Sequence, residues 1–209
     1  MFGEIRQSVS GQEIVIERDV RTASPWLRWL ARRLLQREAA ALAALDGIDG
    51  IPDLISANRD LLTRAYLPGA PMHHARPRDP AYFAAALGLL RHMHRLGVVH
   101  NDLAKEPNIL VREDGTPAFV DFQVAWFAPG RGRLFRALAG EDIRHLLKHK
   151  RSYCPGHLTR RQHGILAKPS WLSRAWMLTV KPVYLFITRR LIGWADREGA
   201  QDRGANRRG

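Results

Sequence analysis

Cysteine is almost missing: one residue, Cys154, in 209. A single thiol excludes an intramolecular disulfide and a cysteine-based zinc module. A reducing, cytoplasmic setting fits that usage. Acid is also scarce. Asp and Glu number 20 against 33 Lys and Arg, a formal charge of +13. Such an excess favours polyanions: nucleotides, nucleic acid, phosphorylated glycans or an anionic membrane face. Long apolar runs are absent as well. The start, Met1-Phe2-Gly3-Glu4-Ile5-Arg6, has no apolar core like that of a secretory signal. The most apolar tail segment, 175–195, is interrupted by Lys181, Arg189 and Arg190. A membrane-spanning helix wants roughly 18 or more apolar residues in a row. No G-x-G-x-x-G occurs early, where Gly3 and Gly11 are all the chain offers, and no lysine precedes Lys105. What is present is ordinary for a globular chain: 45% apolar and 25% charged residues, enough to argue against disorder as the main state.

Strand signals come early. Residues 13–18, Glu-Ile-Val-Ile-Glu-Arg, read as a strand after a turn at Ser10-Gly11. Ser24-Pro25 reads as a helix start, with Ser24 as N-cap and apolar residues at helical spacing from Leu27 to Leu45. Strands are expected at 53–56 and 61–66, and Pro68-Gly69 breaks the chain. Asp79 and Pro80 open a second helix that Gly97 ends. Residues 109–111 and 118–120 flank an Asp-Gly turn and predict a hairpin. From about residue 133 the pattern is helical. Residues 199–209 are polar and Gly/Arg-rich, as a frayed end is.

The stretch His100-Asn101-Asp102-Leu103-Ala104-Lys105-Glu106-Pro107-Asn108, followed by Asp121-Phe122-Gln123, carries the chemistry. Asp102 lies in a loop after an apolar strand, where a carboxylate can face a cleft. The hairpin brings Asn108 and Asp121 side by side, with Asp102 nearby. One carboxylate and one amide oxygen suit Mg²⁺, which keeps its other positions for water and phosphate oxygens. A neighbouring carboxylate can orient a hydroxyl or take its proton. Lys105 adds positive charge where a transferring phosphoryl group is negative. These parts fit phosphoryl transfer, which depends mostly on positioning and electrostatics.

The same spacing resembles the protein-kinase-like superfamily, with its catalytic loop H-x-D-x-x-x-x-N, a hairpin, then D-F-G. His100, Asp102 and Asn108 match the loop, and Asp121-Phe122 matches the start of the second motif. Residues 98–111 look most like those of small bacterial kinase-like proteins, akin to RIO-type kinases and to kinases of lipopolysaccharide core sugars. The resemblance implies an α+β, two-lobed kinase-like fold using ATP and Mg²⁺. It makes Asp102 the catalytic aspartate, Asn108 and Asp121 the metal ligands, and His100 a support of the loop. It implies that Glu38 is the helix glutamate, and that Arg18 replaces the strand lysine that pairs with it. Residues 61–69 then resemble the hinge that holds adenine through backbone groups, and Asp142 the buried aspartate that braces the catalytic loop. Three departures stand out. Asn108 follows Asp102 by one residue more than usual, so the loop must bulge. Gln123 replaces the usual glycine. A guanidinium at Arg18 is bulkier and planar where a lysine is expected.

On this reading residues 1–209 form one kinase-like domain, with an N-lobe to about residue 67 and a C-lobe to about residue 198. Its function is transfer of the γ-phosphoryl of ATP to a hydroxyl, on protein Ser/Thr or on a lipopolysaccharide-type sugar. The alternative is a degenerate pseudokinase that binds a nucleotide or partner without chemistry. From residue 144 onward, 15 Lys/Arg face three acids, interleaved with Trp171, Trp176, Tyr184, Phe186 and Trp194. That tail either packs the helical lobe or touches an anionic inner membrane face peripherally. No helix-turn-helix, RNP-like or zinc-finger pattern supports nucleic acid as a partner. His92 and His94 point apart on a helix and cannot share a metal. Cys154 reads as a structural thiol.

Overall fold

A computed structural model describes residues 4–10 and 13–167, all within the compact unit Met1–Pro169. The aromatic, basic tail and the expected C-lobe end at residue 198 lie outside the described residues. The order is β1 (Glu4–Ser10), β2 (Glu13–Asp19), α1 (Arg28–Ala44), β3 (Leu54–Ala57), β4 (Leu61–Ala65), β5 (Ala70–Pro71) and a one-turn α2 (Met72–Ala75). Then come α3 (Pro80–Arg95), β6 (Val98–Val99), β7 (Ile109–Val111), β8 (Pro117–Phe119), β9 (Trp126–Phe127), α4 (Arg133–Tyr153) and α5 (Arg160–Ala167). Among the described residues no helix is long and apolar enough to cross a membrane.

Strands β1-β2-β4-β3 form an antiparallel sheet in that order. The first strand was not expected from the sequence. It is an edge strand whose apolar residues Ile5 and Val9 are 59% and 73% exposed, so no buried stripe marks it. Helix α1 also starts later than the Ser24-Pro25 signal predicts. Ser24 O accepts from Leu27 N–H at 2.8 Å and closes a turn. The ladder opens only where Ala31 N–H reaches Leu27 O at 2.9 Å, and Leu27 supplies no side-chain cap. The sheet packs on α1 through Leu62, Leu35, Ala31 and Val20, all buried.

The second core is larger. Tyr82, Phe83, Leu87, Leu90 and Met93 form one stripe of α3. They meet Met72, Ile109, Phe119, Phe122 and Leu146. Asp79 caps α3 by accepting from Ala81 N–H at 2.8 Å. Strands β5-β7-β8 and the pair β6-β9 lie on this core. The β7–β8 turn closes with Arg112 N–H on Thr116 O at 2.9 Å, and Gly115 takes φ +78°.

Gly97 ties α3 to β9 where β6 begins. It sits at φ +82°, its carbonyl accepts from Ala128 N–H at 2.7 Å, and a Cβ would stand 3.0 Å from Ala128 O. Both the left-handed backbone and the contact penalise any side chain. Gly97→Ala is expected to cost about 2 kcal/mol. Urea denaturation at constant m-value checks this; a change below about 0.5 kcal/mol would mean that the backbone relaxes there freely.

Candidate active site

The loop that leaves β6 is held from below. Helix α4 buries Phe135, Ala139, Asp142, Leu146 and His149 along one face, so Asp142 occupies a core position. It is 1% exposed. Its two carboxylate oxygens accept from His100 N–H at 2.8 Å and from Asn101 N–H at 2.9 Å. His94 Nε2 lies 3.3 Å from the first of those oxygens. Asn101 takes φ +64°, which turns the chain outward just before Asp102. The His100 ring is wholly buried against Phe122, with centroids 4.7 Å apart. Burial pushes its pKa down. Its Nε2, 3.0 Å from Val120 O, therefore carries the hydrogen, because a carbonyl only accepts. His100 thus links the loop to the strand that leads to Asp121.

Asp102 is central to the loop. One carboxylate oxygen accepts from Asn108 Nδ2 and from Lys105 Nζ, each at 2.9 Å. Asn108 Nδ2 also reaches the Asp102 carbonyl at 3.1 Å. The extra residue between Asp102 and Asn108 is taken up by two successive turns. Lys105 N–H donates to Asp102 O and Asn108 N–H to Lys105 O, both at 3.2 Å, the second within a 3-10 turn over Glu106–Asn108. Tyr153 Oη donates to Glu106 at 2.6 Å, and His149 Nε2 lies 2.8 Å from Leu103 O. The lengthened loop is therefore pinned at both ends by α4.

Val120 N–H donates to Asn108 O at 3.0 Å, so Asp121 emerges beside Asn108. Asp121 takes φ +65°, a conformation that Asp tolerates better than most residues. Among the described residues no hydrogen bond is found on its carboxylate. The segment after it is anchored twice. Asn101 Nδ2 donates to Val124 O at 3.1 Å, and the Arg37 guanidinium of α1 donates to Val124 O and Ala125 O at 3.3 and 3.2 Å. The Gln123 segment is thus tied both to the loop and to α1.

Arg18 of β2 and Glu38 of α1, expected as partners, meet at 2.6 Å. The strand register explains how. Arg18 stands opposite Leu62 and Ile16 opposite Arg64, so Arg18, Leu62 and Arg64 share one face. Leu62 packs on Leu35 of α1, which makes that face the one over Glu38. Glu38 is 2% exposed. Burial raises its pKa, while Arg18 and Arg64 pull it back down. Arg64 Nε lies 3.5 Å from the second carboxylate oxygen. Sequence reading missed Arg64, although a cation within Leu-Leu-Thr-Arg-Ala, a half-buried strand, was the available signal. In the 61–69 segment, Ala65 and Tyr66 spend their N–H groups on Asp53 O and Ile14 O at 2.9 and 3.1 Å. Those two amides brace the sheet. Cys154 is buried, with Sγ against Arg78 O, in keeping with a structural thiol.

No family model and no curated protein sequence matches the chain. Its fold does match solved structures. The crystal structure of the Rio2 kinase from Chaetomium thermophilum aligns with a TM-score of 0.60 at 14% identity, over 85% of this chain and 70% of that one. The chain therefore has a protein-kinase-like fold of the RIO type, with mixed helices and small antiparallel sheets.

Proposed function

We propose that the chain, as a single kinase-like domain, is an ATP-dependent phosphotransferase that moves the γ-phosphoryl of ATP to a hydroxyl. The observation that carries this reading is the assembly of Asp102, Asn108 and Asp121 on a loop and hairpin locked by Asp142 and His100. Asp102 orients the acceptor hydroxyl and takes its proton as oxygen bonds to phosphorus and ADP leaves. Lys105, 2.9 Å from Asp102 and 63% exposed at its side chain, can swing between that carboxylate and a transferring phosphoryl group.

The donor set fits Mg²⁺. Asn108 spends its amide nitrogen on Asp102, which leaves the oxygen arm of that amide, and the Asp121 carboxylate carries no hydrogen bond among the described residues. A hard cation takes such oxygens and keeps waters besides. When bound, it would neutralise phosphate charge. Arg18 and Glu38 steady the nucleotide.

The acceptor is a protein Ser/Thr or a lipopolysaccharide-type sugar, the strong positive charge favouring a phosphorylated glycan. The setting is the cytoplasm, with the basic tail making peripheral contact with an anionic membrane face. The second reading is a pseudokinase. It is favoured by one observation: the cation on Glu38 is a guanidinium, not an ammonium.

An assay with ATP labelled on its γ-phosphate, with Mg²⁺, separates the two. The acceptors are the protein itself, a generic basic protein and a bacterial envelope lipid extract. Label is expected with the wild type and is expected to fall at least about 100-fold in Asp121→Asn. Equal labelling by both proteins would refute the assignment of Asp121. No label in any fraction, with ATP binding intact, would favour the pseudokinase.

A further inference from the structure

Two arginines converge on one glutamate, and their situations differ. Arg18 is committed: its Nη1 holds Glu38 at 2.6 Å. Arg64 approaches the other Glu38 oxygen only at 3.5 Å. Among the described residues no hydrogen bond leaves the Arg64 guanidinium, yet its side chain is only 15% exposed. A guanidinium carries five N–H donors in a fixed fork. A fork that makes no hydrogen bond within the protein keeps its donors available to a ligand, and a planar fork suits a phosphate bidentately. The charges around it point the same way. Arg64 lies within electrostatic reach of both Glu38 and Asp121, so phosphates held beside Asp121 would feel its charge.

Resting on the kinase reading above, we propose that Arg64 is the nucleotide-phosphate ligand of this site, while Arg18 serves as the brace of Glu38. In this arrangement one strand cation does not both hold the helix glutamate and contact phosphate. Two strands share the work. Strand β2 supplies the partner of Glu38, and β4 supplies the anion-binding fork. The position of Arg64 opposite Ile16 aims it at the same face as Arg18 without placing the two at the same oxygen. Glu38 then has a second use: its buried negative charge keeps two like-charged forks near each other before an anion arrives.

The discriminating quantity is how much the phosphates add to affinity. Calorimetric titrations of the whole protein with ADP and with adenosine, both in EDTA to remove metal, give that ratio. Arg64→Gln is expected to lower the ADP-to-adenosine affinity ratio at least about tenfold, with adenosine affinity within about threefold of wild type. Arg64→Lys is expected to fall between the two, because charge survives but the fork does not. Arg18→Gln is expected to lower the melting temperature and to weaken ADP and adenosine together, so that the ratio stays within about threefold. A merely charge-balancing Arg64 would leave the ratio unchanged, and that result would overturn the proposal. So would a ratio that falls with Arg18→Gln and not with Arg64→Gln. If the wild type binds neither ligand in EDTA and still does not bind ADP when Mg²⁺ is restored, the kinase reading itself falls and takes this one with it. Should Arg64→Gln fail to fold, the wild type still decides. Pyrophosphate is expected to protect Arg64 from phenylglyoxal, read by peptide mass spectrometry, and undiminished modification would count against the assignment.

Discussion

Asp102→Asn is expected to abolish most phosphate transfer while leaving the fold intact. The side chain is 19% exposed, and its contacts are local: Asn108 and Lys105, both within the loop. An asparagine keeps the volume and one oxygen that can still accept from Asn108. It cannot take a proton from an attacking hydroxyl. Proton transfer by a placed side chain is worth about 10²–10⁴ in rate, so the single-turnover rate should fall by that range. The lost ion pair is to a lysine well exposed at the surface, worth at most about 1 kcal/mol. The melting curve should therefore barely move. A rate within threefold of wild type would remove Asp102 from the chemistry. A large loss of stability would instead mean that Asp102 mainly folds the loop. Lys105→Ala is informative beside it, because it removes the same ion pair and leaves the carboxylate. If both variants lost equal activity, the carboxylate would have no larger share in the rate than the lysine that also reaches the phosphoryl group.

How far the sequence speaks for such a site depends on how local each part is. Asp102, Asn108 and Asp121 are joined by a short hairpin, so spacing alone predicts their meeting, and the Val120–Asn108 hydrogen bond carries it out. The Arg18–Glu38 contact spans a strand, a turn and a helix. It was legible only through the resemblance to a family, since a strand arginine and a helix glutamate ordinarily read as solvated charges. Arg64 was invisible for a different reason. Its role depends on the pairing of β2 with β4, a register set by residues nearly 50 positions apart. Nothing in Leu-Leu-Thr-Arg-Ala says which face is buried until Leu62 is seen against Leu35. Strand β1 escaped because an edge strand with both faces largely wet has no pattern to betray it. The α1 start was misplaced because Ser24-Pro25 is a sound capping signal that was spent on a preceding turn instead.

Asp142→Ala should have the largest effect on the fold of any substitution near the site. The carboxylate is 1% exposed and accepts two backbone N–H groups, those of His100 and Asn101. Alanine leaves the buried His100 donor and the half-buried Asn101 donor without their partner, at about 1–3 kcal/mol for a fully buried one and less for the other, and opens a cavity in the face that packs α4 on α3. A total near 3–5 kcal/mol is expected, a large part of a small domain's stability. Asp142→Asn is the sharper variant. It preserves volume and one acceptor, but must turn an NH₂ toward a backbone N–H, so it should lose about half as much. Denaturant titration measures both, and amide exchange across residues 98–103 locates the damage. Neither variant removes a group that touches substrate. Activity should nevertheless fall, because His100 and Asn101 set the direction in which Asp102 leaves β6. The two aspartates are thereby separable. Loss of rate without loss of stability marks Asp102, and loss of both, with faster exchange confined to the loop, marks Asp142. Unchanged stability in Asp142→Ala would show that the loop finds its donors elsewhere, and the preorganisation argued for Asp102 would lose its support.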